Sequence, residues 1–133
     1  MTLRTKTAAF ALVPLAALGT VALTGSTPAG ARNKATTVKA VETDFHIALS
    51  KKVFTAGTYT FLVQNKGGTT HSLAITGPGL HNATSADLSP GQNTKLKVTF
   101  KKGGKYDIYC PIPGHKALGM NVNMTVGKMI VAK

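Results

Sequence analysis

Four side chains in this 133-residue chain have the chemistry to hold a metal together. The stretch Tyr109 to Met120, YCPIPGHKALGM, carries Cys110, the single cysteine of the chain, then His115, then Met120. His71 opens an apolar stretch, HSLAIT, well upstream. One thiolate, one thioether and two imidazoles form a soft donor set. Two His, one Cys and a weak axial Met are the donors of a copper centre that passes single electrons. Zinc is the main competitor, because tetrahedral zinc accepts Cys and His, but a methionine is a poor zinc ligand. Each residue also has a plainer reading: His71 as a satisfied polar group, Met120 as core, Cys110 as a small buried hydrophobe. It is their combination on one loop and one upstream strand that favours a metal.

Place supports the same reading. Arg4 and Lys6 precede an apolar run, Ala8 to Leu23, and the small-residue segment Thr27-Pro28-Ala29-Gly30-Ala31 follows. Ala29-x-Ala31 fits a signal-peptidase site with cleavage after Ala31. The alternative is a retained anchor, against which the run is shorter than the roughly 20 residues of a spanning helix. No twin arginine is present, so the general secretory route is expected. The leader has no cysteine, which excludes a lipid anchor there. The expectation is a signal peptide over 1–31 and one domain over 32–133, with no integral membrane segment once the leader is removed. The protein is then exported: extracellular, periplasmic or associated with the cell envelope. A single cysteine in an exported chain cannot form an internal disulfide, and an oxidising compartment penalises an idle exposed thiol.

The charge is 16 basic against 4 acidic residues, or +12. Without Arg4 and Lys6 the domain carries 14 against 4, or +10. A lysine-rich surface can be merely solubilising, or it can attract an acidic redox partner or an anionic envelope polymer. Nucleic acid is not expected as a partner, since no basic stripe with interleaved aromatics is visible.

The elements that must position the four donors read as strands. Val38 and Ala40 alternate with polar residues, and then Val41, Phe45, Ile47 and Leu49 share a face, a phase change that predicts a bulge. TYTFLVQ at Thr58 to Gln64 is rich in β-branched and aromatic residues. Further strands are predicted over His71–Thr76, Thr94–Phe100, Lys105–Cys110 and Met120–Val126, with residues 77–92 a Gly/Pro/Asn-rich excursion. No stretch after Arg32 sustains a helical period. Short strands with turn signals between them indicate an all-β antiparallel sandwich.

Strand phase tests the donors, because side chains alternate faces. His71 is in phase with Leu73 and Ile75, Cys110 with Tyr106 and Ile108, and Met120 with Val122, Met124 and Val126. All three therefore fall on apolar faces at strand ends, and His115, in the loop between the last two strands, can close the site from above. His46 is out of phase with its apolar neighbours and should face solvent. His81 is expected to be a surface residue, and Met124 is expected to pack.

At these residues the chain resembles the cupredoxins, the plastocyanin/azurin group of small blue-copper proteins. The resemblance covers AVETDFHIAL, AGTYTFLVQNKGGTTHSLAI, ADLSPGQNTKLKVTF and KYDIYCPIPGHKALGMNV. It implies a Greek-key sandwich and one copper ion cycling between Cu(I) and Cu(II). His71, Cys110 and His115 would be its equatorial ligands and Met120 the axial one. Four residues separate Cys110 from His115 and four separate His115 from Met120, a loop closer to the rusticyanin and sulfocyanin branch than to plastocyanin or azurin. Where many members have Asn after the first His, this chain has Ser72. The resemblance further implies a His115 ring edge at the surface as electron port, with Pro111, Ile112, Pro113, Ala117 and Leu118 as an apolar docking patch and Lys116 as a charge beside it. The implied function is that of an exported monomeric one-electron carrier for a redox protein, an acidic cytochrome or an oxidase. The alternatives are a copper chaperone or store using the same ligands, and a sandwich serving in adhesion. No catalysis is implied: a general base, an activated nucleophile and an open coordination position are missing.

Overall fold

The computed structural model describes residues 34–128, so the leader expected over 1–31 lies outside the described residues, as do 129–133. The described chain forms nine strands: β1 Thr36–Thr43, β2 His46–Leu49, β3 Phe54–Thr55, β4 Gly57–Asn65, β5 Ala74–Gly77, β6 Leu80–Thr84, β7 Asn93–Phe100, β8 Gly104–Tyr109 and β9 Asn121–Gly127. They make two sheets, β2-β1-β4-β7 and β3-β9-β8-β5-β6. The expected sandwich is present, with one refinement. The β1/β4 and β3/β9 pairings are parallel, and the others are antiparallel. β1 reaches β4 only after the chain has crossed to the other sheet at β3, so the two strands run the same way.

Alternation builds the core. β4 buries Tyr59, Phe61, Val63 and Asn65 and leaves the residues between them half-exposed. β8 buries Tyr106 and Ile108, and β9 buries Met124 and Val126. Phe54, Phe61, Phe100 and Tyr106 interlock between the sheets, with Phe100 edge-on to Tyr106 at 4.8 Å between ring centroids. Aromatic pairs in this geometry add to what their buried area alone contributes.

Two strand expectations change. No bulge interrupts β1. Thr43 pairs with His46 across a tight turn at Asp44-Phe45, so Val38–Leu49 is a hairpin rather than one kinked strand. The phase of β1 never shifts: Val38, Ala40 and Glu42 all point inward, and Val41 is only half-buried. The apolar pattern misleads here because a glutamate occupies a core position. The excursion over 77–92 contains β6, which returns along β5 after a turn at Pro78-Gly79, where Gly79 has φ +71°. β6 lies at a sheet edge and exposes His81 and Asn82, so its sequence lacks a buried face to mark it.

The strand directions define two poles. β1 ends, β8 ends and β9 begins at one pole, beside Asp44, Cys110 and Met120. β1 and β8 begin, and β7 and β9 end, at the other.

Candidate metal centre

Cys110 directly follows β8 and continues its inward phase after Tyr106 and Ile108; it is fully buried. Met120 directly precedes β9 and is also fully buried. The backbone N–H of Cys110 donates to the Met120 carbonyl at 3.1 Å, which brings the two ends of the ligand loop together. Between them the chain folds into overlapping turns. His115 N–H donates to the Ile112 carbonyl, Leu118 N–H to Gly114 and His115, and Met120 N–H to His115. Gly114 (φ +85°) and Gly119 (φ +120°) take backbone angles that side-chain-bearing residues avoid. These bonds hold His115 over Cys110, with the Cys110 Sγ 3.6 Å from His115 Nδ1.

His71 arrives from the other side. It is a bridge residue paired with Leu88 rather than a member of β5, and residues 71–75 are all buried. Alternation therefore says less about His71 than its apolar neighbours suggested. The loop before β7 covers the second face here: Ser85 Oγ accepts from Leu73 N–H, and Ser72 Oγ donates to the Ser85 carbonyl. His71 Nδ1 lies 3.2 Å from His115 Nδ1. His71, Cys110 and His115 each offer one ligand atom, and these atoms all lie within 4.8 Å of one another.

Asp44 is the residue that sequence reasoning missed. Its carboxylate oxygen lies 2.8 Å from His71 Nε2. The same carboxylate accepts from Gly68 N–H at 2.7 Å and from the Thr69 hydroxyl at 2.8 Å. Those bonds to Gly68 and Thr69, with the His71 contact, hold the Asp44 carboxyl down at about 2, so it is ionised at neutral pH. An ionised carboxylate at Nε2 makes that nitrogen the N–H donor and leaves a lone pair on Nδ1, facing Cys110 and His115. This is the orientation a metal-binding imidazole needs. Asn65, buried at the end of β4, shapes the loop that carries these contacts. Its amide donates to the Thr69 and Leu88 carbonyls and accepts from Gly67 N–H. A Cβ on Gly67 would stand 2.6 Å from Asp44 Oδ1 and 2.7 Å from His71 Nε2, so only glycine fits. The contact between Asp44 and His71 spans 27 residues, and no local signal in the sequence marks it.

The thiol is poised against competing terms. Burial raises the Cys110 pKa, the backbone N–H groups of Ser72 and Ile112 lower it, and the carboxylates of Glu42 and Asp87 raise it further. Free of metal, the thiol keeps its proton, and a bound cation displaces it. Pro111 and Pro113 have no N–H to offer the sulfur, so Ile112 between them supplies the loop's donor. Ser72 serves through its backbone N–H, while its hydroxyl turns to Ser85 and not to the ligand loop.

Glu42 lies in this half of the core with its side chain fully buried and neither carboxylate oxygen hydrogen-bonded. Burial pushes its pKa up to about 7. Around the loop, Pro111, Pro113, Ala117 and Leu118 are exposed and Ile112 packs against the core. Phe45 stands edge-on to the His115 ring at 5.1 Å. Lys116 folds back to pair with Asp107 and lies 4.2 Å over the Tyr109 ring, so its charge is partly neutralised rather than projected into the patch. His46 and His81 are exposed and stand apart from the cluster, and Met124 packs in the core, as expected.

The donor set fits copper. It combines a buried sulfur with one buried and one half-buried imidazole, and it contains no carboxylate donor. Comparison with solved structures returns blue-copper folds. The chain resembles a dithionite-reduced auracyanin from the photosynthetic bacterium Roseiflexus castenholzii at 24% identity and TM-score 0.58, covering 70% of this chain and 98% of that one. Auracyanin B aligns at 18% identity and TM-score 0.57, over 69% and 88% of the two chains. Auracyanin A, a "blue" copper protein from Chloroflexus aurantiacus, aligns at 16% identity and TM-score 0.54, over 72% and 100%. No curated protein matches the sequence. The family model of copper-binding proteins, plastocyanin/azurin family, matches residues 26–127. That match runs from before β1 to the end of β9, and the chain therefore belongs to the plastocyanin/azurin family of copper-binding proteins.

Proposed function

We propose that this protein is an exported one-electron carrier that holds one copper ion through His71, Cys110, His115 and Met120. The observation that carries the reading is the cluster of buried His71, buried Cys110 and half-buried His115, whose ligand atoms lie within 4.8 Å of one another. Copper bound there supplies a Cu(I)/Cu(II) couple, to which thiolate, thioether and imidazole donors are suited. The chain's own residues do the rest. Asp44 fixes the His71 ring, the Cys110–Met120 backbone bond and the loop turns fix Cys110 and His115, and the Ser72 and Ile112 amides stabilise the thiolate. A site whose donors are held in place beforehand needs little rearrangement when an electron arrives. His115 is half-buried, with Nδ1 turned inward. Its ring is the route between the centre and the exposed residues Pro111, Pro113, Ala117 and Leu118. That patch suits a transient redox encounter, for which a small interface suffices.

Full burial of Cys110 and Met120 favours a carrier over a chaperone, since a metal-transfer partner would need to reach the donors. The likeness in fold to auracyanins, one of them described as a "blue" copper protein and another solved in a dithionite-reduced form, supports the same reading. The test is a visible absorption spectrum after addition of Cu(II), for the wild type and for Cys110→Ser. An intense thiolate-to-copper band in the wild type that is absent from the variant is expected, with copper retained through repeated reduction and reoxidation. A folded, copper-exposed wild type without the band would overturn the blue-copper site. Rapid loss of Cu(I) to an apo acceptor would turn the reading to copper handling.

A further inference from the structure

All four acidic residues of the chain lie in the copper half or beside it. Glu42 and Asp44 close β1, Asp107 pairs with Lys116 of the ligand loop, and Asp87 precedes Leu88, the bridge partner of His71. Among the described residues, the charged side chains of the opposite pole are all cations. Lys34 precedes β1, Lys101 and Lys102 follow β7, and Lys105 opens β8. Lys51 and Lys52 precede β3, and Lys128 follows β9. Among the described residues none of these lysines has a carboxylate within ion-pairing distance. Such a cluster repels itself, and nothing in the fold of the described domain relieves it.

The same pole has an apolar face. Val53, next to Lys52, is 74% exposed, the most exposed large hydrophobic side chain of the described domain. It borders the lysine-rimmed end of an open groove between β2 and β9, which runs from His46 and Val122 past Leu49 to Lys51, Lys52 and Lys128. Apolar side chains edged by lysines match the boundary between acyl chains and headgroups, where the ammonium reaches out and its stem lies along the apolar surface. The described chain both enters, at Lys34, and leaves, at Lys128, through this pole.

We propose that the lysine pole is a docking surface for an anionic phospholipid bilayer, with Val53 and the groove beside it entering the headgroup region. Docking this way turns the ligand loop and its apolar patch away from the lipid, so a membrane-bound molecule still presents His115 to a partner. Each lysine near an anionic surface strengthens binding roughly fivefold. A soluble acidic protein would explain the charge but not the exposed Val53 and the groove end beside it.

The experiment is co-sedimentation of the full chain with vesicles of phosphatidylcholine alone and of phosphatidylcholine with about one-third phosphatidylglycerol. It compares wild type, Lys52→Glu/Lys101→Glu/Lys102→Glu, and a control of equal charge on the outer face of the β1/β4/β7 sheet, Lys39→Glu/Lys95→Glu/Lys97→Glu. Any insertion of the leader itself registers on neutral vesicles and in all three proteins alike. The expected result is a preference for anionic vesicles that falls roughly 100-fold in the pole variant, and by no more than about tenfold in the control. High salt is expected to abolish it, and Val53→Ser to weaken it severalfold. Equal loss in the two charge variants, no preference for anionic vesicles, or binding to soluble polyphosphate that matches the vesicles and ignores Val53→Ser would each overturn the proposal. These outcomes do not depend on copper, so they stand apart from the test of the electron-carrier reading.

Discussion

The two poles of the sandwich are built on opposite principles. At the copper pole nearly every polar group is tied to another: Asp44 to His71, Gly68 and Thr69, Asn65 to two carbonyls and an amide, and Lys116 to Asp107. At the far pole the charged groups are tied to nothing among the described residues, and Val53 lies open beside them. A donor set must be rigid, and rigidity in a loop comes from hydrogen bonds that over-determine it. A surface that meets a fluid, charged partner needs density of charge and exposure, and gains nothing from fixed rings. Glu42 is the exception at the copper pole, a buried carboxyl with no hydrogen-bond partner.

The difference can be broken most severely at Asp44 and Gly67. Asp44→Ala frees the His71 ring and is expected to lower copper affinity about 10- to 100-fold, measured by competition with a chelator. Gly67→Ala drives a methyl between Asp44 and His71, so a loss of the same order is expected, without removing either group. If both variants bind copper like the wild type, the Asp44–His71 contact is not what orients the site.

Glu42→Gln sharpens the comparison. Burial holds the Glu42 carboxyl at about 7 in the folded state, above its ordinary 4.5. Folding therefore favours the protonated form. The group costs no stability below about 4.5, and its penalty grows as pH rises from there to about 7. Glu42→Gln should then stabilise the metal-free protein at pH 8 by on the order of 2 kcal/mol and leave it nearly unchanged at pH 4, as read by urea unfolding. Asp44 works the other way. Its carboxyl sits at about 2 against 3.8, so its contribution is present above about 4 and is lost as pH falls through about 2. Together the two groups place the stability maximum of the metal-free protein between about pH 4 and 5, and a flat profile from 4 to 7 would contradict the account of Glu42.

The smallest effect belongs to the far pole. Lys101→Gln or Lys102→Gln should change stability by less than about 0.5 kcal/mol and leave the visible spectrum unaltered, because neither side chain has an ion-pair partner among the described residues. A shift in the spectrum would mean that the poles are coupled through the sheets.

Much of this was legible beforehand. The strands β4, β7, β8 and β9 announce themselves by alternation, and Cys110 and Met120 follow from their phase within β8 and β9. The β1–β2 hairpin did not, because Glu42 breaks the apolar pattern at a position where burial is decided by the opposite sheet. β6 did not, because an edge strand with exposed His81 and Asn82 has little apolar face to display.

The sequence by itself determined the donors and the elements that carry them, because residue type and strand period are local properties of the chain. Only the tertiary structure decided which donors meet. His71 and His115 stand 44 residues apart in sequence and 3.2 Å apart in space, and Asp44 reaches His71 across 27 residues. It also gathered lysines from separate strand ends at one pole and every acidic residue toward the other. Such contacts depend on how two sheets pair and stack, and sheet pairing joins segments whose separation along the chain leaves no periodic trace.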